Sequence, residues 1–165
     1  MFDPFFTWLE ATALSVWMVE SPSLFAFPFV LALHTIGLGL VAGLSVALDL
    51  RLLGLASAIP VVEFRRFVPL MWAGFALNAA SGILLVIAYP TKALTNPLFY
   101  AKLALIAGAL VILTMVRRRV LEGEVTRPVP RSVKMLAVAS LICWALATIA
   151  GRYLAYTYTR LTVNG

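Results

Sequence analysis

The sequence predicts an all-α integral membrane protein: a four-helix bundle preceded by an amphipathic helix in the membrane interface, with both termini outside. Three observations carry this. Hydrophobic residues make up 62% of the 165 and charged residues 12%, about half the charge of an ordinary soluble domain. The mean hydropathy is +0.99. Four apolar runs, near residues 23–48, 68–89, 97–116 and 134–156, reach the roughly 20 residues that a helix needs to cross a hydrocarbon core. The cations, finally, are sorted among the connections rather than spread along the chain.

Residues 3–20 read as the interfacial helix. Phe5, Phe6, Leu9, Ala13, Val16 and Trp17 recur at helical spacing, Glu10 and Glu20 fall among the polar positions, and Trp8 and Trp17 suit the headgroup zone. A cleavable signal is not expected, because Asp3, Glu10 and Glu20 precede the first span and no Lys or Arg occurs before Arg51. Ser21-Pro22 ends this helix. The first span holds His34, the single histidine, and Asp49 lies at its inner end beside Arg51, where a surface ion pair accounts for it. Arg65 and Arg66 follow before the second span, which carries Asn78.

Only Lys92 occupies the next connection, and Lys102 lies near the start of the third span. Arg117, Arg118, Arg119, Arg127, Arg131 and Lys134 then separate spans three and four, with Thr126-Arg-Pro-Val-Pro130 as a stiff turn. Short loops rich in Lys and Arg stay in the cytoplasm, so both termini face outward from a bacterial inner membrane. The net charge of +6 is therefore a topology signal, and nucleic-acid binding is not needed to explain it. Cys143, the single cysteine, cannot form a disulfide within the chain. One transmembrane domain, 1–165, is the economical reading.

Lipid gives helices little hydrophobic reason to associate, so small residues at close contacts do much of that work. Gly39 and Gly43, Gly74 with Asn78 and Gly82, Gly108, and Ala147 with Gly151 supply the spans with smooth stripes. Packing within the monomer is the favoured use of the Gly39/Gly43 pair, with dimerisation as the alternative.

Polar groups within the spans are few, and their depths follow from the helical rise. His34 and Asn78 come out roughly 15 Å below the outer boundary, Lys102 roughly 6 Å and Arg152 about 3 Å. A neutral polar level thus underlies a cationic one, a layering that suits an amphiphile with an anionic end. Each residue also has a plainer role: Lys102 and Arg152 are placed to snorkel, Asn78 to bond across helices, and His34 to donate to Asn78 or a carbonyl. Cys143 is set aside as a ligand, because it lies about 180° around the helix from Arg152.

Four stretches carry a family resemblance: Trp8-Leu-Glu-Ala-Thr-Ala-Leu-Ser-Val-Trp17, Leu33-His-Thr-Ile-Gly37, Asp49-Leu-Arg-Leu-Leu-Gly54 and Gly151-Arg-Tyr-Leu-Ala-Tyr156. They resemble a family of small bacterial four-span membrane proteins of unknown function, over nearly the whole chain. The layout, with a histidine in span one and a lysine opening span three, is also loosely similar to the copper resistance protein D group and to membrane b-type cytochromes. Those cytochromes hold each haem between two histidines, and this chain has one.

Three functions compete. Haem b in an electron-transfer or sensing role needs an axial ligand, an apolar slot and cations for its propionates; His34 as metal ligand, with Asn78, Lys102 and Arg152, would supply them. A quinone suits the same layout, with His34 or Asn78 bonding a carbonyl oxygen. Copper-type transport favours clustered Met, Cys and His, whereas Met71, Met115 and Met135 fall near the cytoplasmic half and Met18 outside the spans. A cofactor-free structural subunit of a homo-oligomer or larger complex is the third. No nucleophile–base pair, phosphate loop or metal-spaced motif points to an independent enzyme.

Overall fold

The computed structural model describes residues 3–122 and 129–161, all four long apolar runs among them. The expected single interfacial helix is two short ones, α1 (Asp3–Glu10) and α2 (Ala13–Glu20). Thr12 makes the break: its hydroxyl donates to the Leu9 carbonyl (2.7 Å) and accepts from the Ser15 amide (3.3 Å), capping α2. The inward face also differs from the expected stripe. Phe6, Ser15 and Met18 are buried, while Phe5, Trp8 and Trp17 are exposed, as suits aromatic side chains at a membrane surface.

The first span, α3 (Phe27–Leu53), starts and ends later than its apolar run. The Ser21 and Ser23 hydroxyls accept the amides of Ser23 and Phe25 and hold that stretch in turns. Gly54 ends the helix with φ +112°, a backbone angle that glycine adopts without strain. A 3₁₀ segment, Val61–Phe67, leads into α4 (Val68–Ala88). The short α5 (Pro90–Leu94) joins it to α6 (Pro97–Val116), which runs on as a π-helical turn to Leu121. The last helix is α7 (Arg131–Leu161). Of the predicted stiff turn, Thr126-Arg-Pro128 lies outside the described residues.

The helices associate as two hairpins. α3 packs along α4, α6 along α7, and α3 against α7 joins the pairs; the backbones of α4 and α6 stay apart, and these two helices meet only through side chains of the apolar cores. At the arginine-rich end the bundle is closed by an apolar core that includes Leu48, Leu52, Met71, Leu113, Val116 and Ala137.

The tightest approach lies between α3 and α4. A Cβ on Gly37 would stand 2.6 Å from the Asn78 amide nitrogen and 2.8 Å from the Gly74 carbonyl oxygen. Gly39 and Gly43, assigned to packing within the bundle, instead have nothing within 4 Å of that position. Helical rotation explains the correction. Two residues turn about 200° around the axis, so once Gly37 meets α4, Gly39 must point away.

The same rotation corrects Asp49. Its residue is 3% exposed, the Ser140 hydroxyl of α7 stands beside its carboxyl, and Oδ2 has no protein partner. Arg51 turns elsewhere, donating to the carbonyls of Ser57 and Ile59. The surface ion pair expected from adjacency does not form, because residues two apart occupy opposite faces.

Candidate functional site

Between α4 and α6, whose backbones stay apart, the arginine-poor half of the bundle holds a cavity of about 750 Å³. Its walls are mostly apolar and aromatic, among them Phe27, Phe75, Phe99 and Ile106. Among the residues anticipated from the sequence, His34, Asn78 and Lys102 line it together. Arg152 does not. Its neighbour Gly151 reaches the wall, while the Arg152 guanidinium lies 5.1 Å from the Tyr156 ring centroid, a cation–π pair on an exposed face.

His34 is held in one orientation. Its Nδ1 lies 3.0 Å from the Asn78 backbone carbonyl, which can only accept, so Nδ1 carries the proton and donates. Ser81 Oγ is 3.2 Å from the same nitrogen and itself donates to the Leu77 carbonyl (2.6 Å). Asn78 Nδ2 donates to the His34 carbonyl at 2.8 Å and stands 3.3 and 3.5 Å from the two ring nitrogens. Near-equal distances to both nitrogens put the amide over the ring rather than along a lone pair. In the neutral imidazole, Nε2 therefore keeps an unshared pair, the arrangement in which a backbone carbonyl orients a ligating histidine.

Two small residues make this possible. A Cβ on Gly82 would come within 3.2 Å of His34 Cε1 and 3.5 Å of Nδ1, so this edge of the ring lies against a helix that offers no side chain there. On the far wall, Gly151 accommodates Lys102, whose Nζ would lie 3.5 Å from a Cβ at that position. Asn78 thus performs the cross-helix bonding expected of it and lines the cavity as well.

Sequence reasoning missed Ser81, Gly82's contact with the ring, and Lys92, which joins the cavity lining from α5. Ser81 was legible in principle, being three residues from Asn78 and hence on its face. Lys92 was not, since its place depends on how α5 folds. Cys143, not counted as a ligand, lies 3.7 Å from the Cβ position of Gly108 and outside the cavity lining.

A family model matches residues 5–157, from α1 to the end of the bundle. The chain belongs to DUF6644, a family of unknown function. The sequence resemblance to small four-span membrane proteins is met by this family and by four helices long and apolar enough to cross a membrane. No curated protein and no solved structure matches the chain, and the likeness to copper resistance protein D and membrane b-type cytochromes gains nothing from these comparisons. For this member of DUF6644, the site's chemistry is the argument for function.

Proposed function

We propose that this protein binds haem b in the arginine-poor half of its bundle, in an electron-transfer or sensing role at a bacterial inner membrane. The observation that carries the reading is the His34 ring: Nδ1 bonds the Asn78 carbonyl at 3.0 Å, which leaves Nε2 as the unprotonated nitrogen of a residue that lines the cavity. A volume of about 750 Å³ falls within the roughly 300–1,000 Å³ of cofactor and ligand sites. His34 would be the axial ligand, the aromatic and aliphatic walls would exclude water, and Lys102 would meet a propionate. Haem so held supplies one-electron exchange or binding of a small gas. Arg152, turned to Tyr156, has no part in this assignment.

Copper handling receives less support from the side chains present. Met18 and Met71 are buried in apolar clusters, Met115 and Met135 are exposed, and none of these lines the cavity with His34. A cofactor-free structural role leaves the oriented histidine and the cavity around it without a use.

The test is the visible spectrum of protein purified from haem-replete cells. A Soret band that disappears in His34→Ala, with helical circular dichroism retained, is the expected result. A colourless preparation would overturn the haem reading, and quinone recovered from it by solvent extraction would reassign the cavity to that ligand.

A further inference from the structure

The open side of the cavity has a direction. At the arginine-poor end α5 crosses from α4 to α6, and its Lys92 and Ala93 line the cavity there together with Tyr89. Thr91 of α5 donates to Glu10 of α1 at 2.8 Å, and Ser15 of α2 lies 3.4 Å from the Ala88 carbonyl, so the N-terminal helices brace this roof. The opposite end is shut by the core around Met71 and Leu113, and α3 and α7, which pack together, back the cavity.

That leaves the long side between α4 and α6, where the backbones stay apart. Three large apolar lining residues stand well exposed: Ile83 of α4 at 62%, Leu103 of α6 at 47% and Leu31 of α3 at 44%; only Ile83 and Leu103 flank the gap between α4 and α6. An apolar lip exposed on the flank of a membrane helix faces lipid rather than water.

We infer that the site is loaded sideways from the bilayer, through a portal between Ile83 and Leu103, so that its ligand arrives as a lipid-dissolved amphiphile. This rests on the reading of the cavity as a ligand site and adds the route and the phase from which the ligand comes. An amphiphile in the leaflet carries its charged or oxygen-bearing end near the interface and its apolar body deeper. Sliding between α4 and α6 in that attitude brings the polar end toward Lys102 and the apolar body to the aromatic walls.

The experiment uses the full chain in lipid nanodiscs. With Cys143→Ala as background, Ile83→Cys and Leu103→Cys are bridged by a short bifunctional maleimide, and uptake of haemin from vesicles is followed at the Soret band. Bridging is expected to slow uptake by about tenfold or more, as for a gate that must open before ligand enters, relative to each single-cysteine variant treated with the same reagent. Equal rates with and without the bridge would overturn the portal.

A second measurement needs no haem. In the same background, Gly151→Cys places a thiol on the back wall, where a Cβ meets only the Lys102 side chain at an ordinary 3.5 Å. A maleimide dissolved in the bilayer should label it faster than a charged, impermeant one in the aqueous phase, and filling the lips without adding a thiol, by Ile83→Trp with Leu103→Trp, should slow that labelling. Faster labelling from water would overturn lateral entry. If haemin binds no variant while bilayer labelling stays faster than aqueous labelling and is slowed by that double substitution, the haem assignment fails and the portal stands.

Discussion

Gly37→Ala adds one methyl group where α3 and α4 are closest. The new carbon would stand 2.6, 2.8 and 2.9 Å from three backbone atoms of Gly74 and Asn78, whereas ordinary contact begins near 3.4 Å. Backbone cannot swing aside as a side chain can, so the helices must part by about 0.8 Å at that level. The bonds from His34 to the Asn78 carbonyl and from Asn78 to the His34 carbonyl, 3.0 and 2.8 Å long, cross this same gap. Such a separation takes them to or beyond the useful limit of about 3.5 Å.

Overpacking costs about 1–3 kcal/mol, and each hydrogen bond broken between membrane helices adds about 0.6 kcal/mol. Alanine's better helix propensity returns at most about 1 kcal/mol. A net loss of about 1–3 kcal/mol follows. Gly39→Ala is the control, since nothing lies within 4 Å of its added carbon; it should leave stability unchanged or raise it by up to about 1 kcal/mol. Denaturant titration in detergent micelles, read by circular dichroism, measures both. Wild-type stability in Gly37→Ala, or an equal loss in Gly39→Ala, would refute the assigned crossing.

Three further substitutions separate the site from the scaffold. Gly82→Ala puts a carbon 3.2 Å from His34 Cε1 and must tilt the ring by a few tenths of an ångström, so haem retention should fall while the unfolding midpoint moves little; full retention would show that the ring is not held as described. Lys102→Met keeps the stem and removes the charge, and should weaken haemin binding by about tenfold, the value of one charge-assisted contact, with stability unchanged in the same titration. Asp49→Asn keeps the shape of a buried carboxyl whose Oδ2 has no partner, and stability should hold or rise, because a buried acid with an unpartnered oxygen gives little net stabilisation. Ser140→Ala removes the hydroxyl beside that carboxyl and should cost about 1–3 kcal/mol if it donates there; no loss would mean that it does not.

The fold was legible because it follows from hydrophobic length. The run at 97–116 coincides with α6, and the residues near midplane depth, His34 and Asn78, do meet across two helices. What the sequence withheld is rotation about the helix axis. Residues spaced four apart share a face, but no local rule says which face meets which neighbour. Gly39/Gly43 satisfies the small-residue pattern and faces outward, while Gly37 makes the contact. Arg152 has a suitable depth but the wrong azimuth, and Asp49 and Arg51, two apart in sequence, diverge for the same reason. The cavity was beyond reach altogether, because it exists where the backbones of two helices stay apart.

The division into hairpins also sets an order of assembly. Every bond that orients His34 comes from residues between His34 and Ser81, all on α3 and α4. Those helices emerge first during synthesis, and in a membrane each can insert before it packs. The histidine can therefore be set in its final attitude while Lys102 and Gly151, carried by α6 and α7, have yet to be made. The second hairpin then closes around a ligand position already defined, and the cavity is the last part of this protein to come into being.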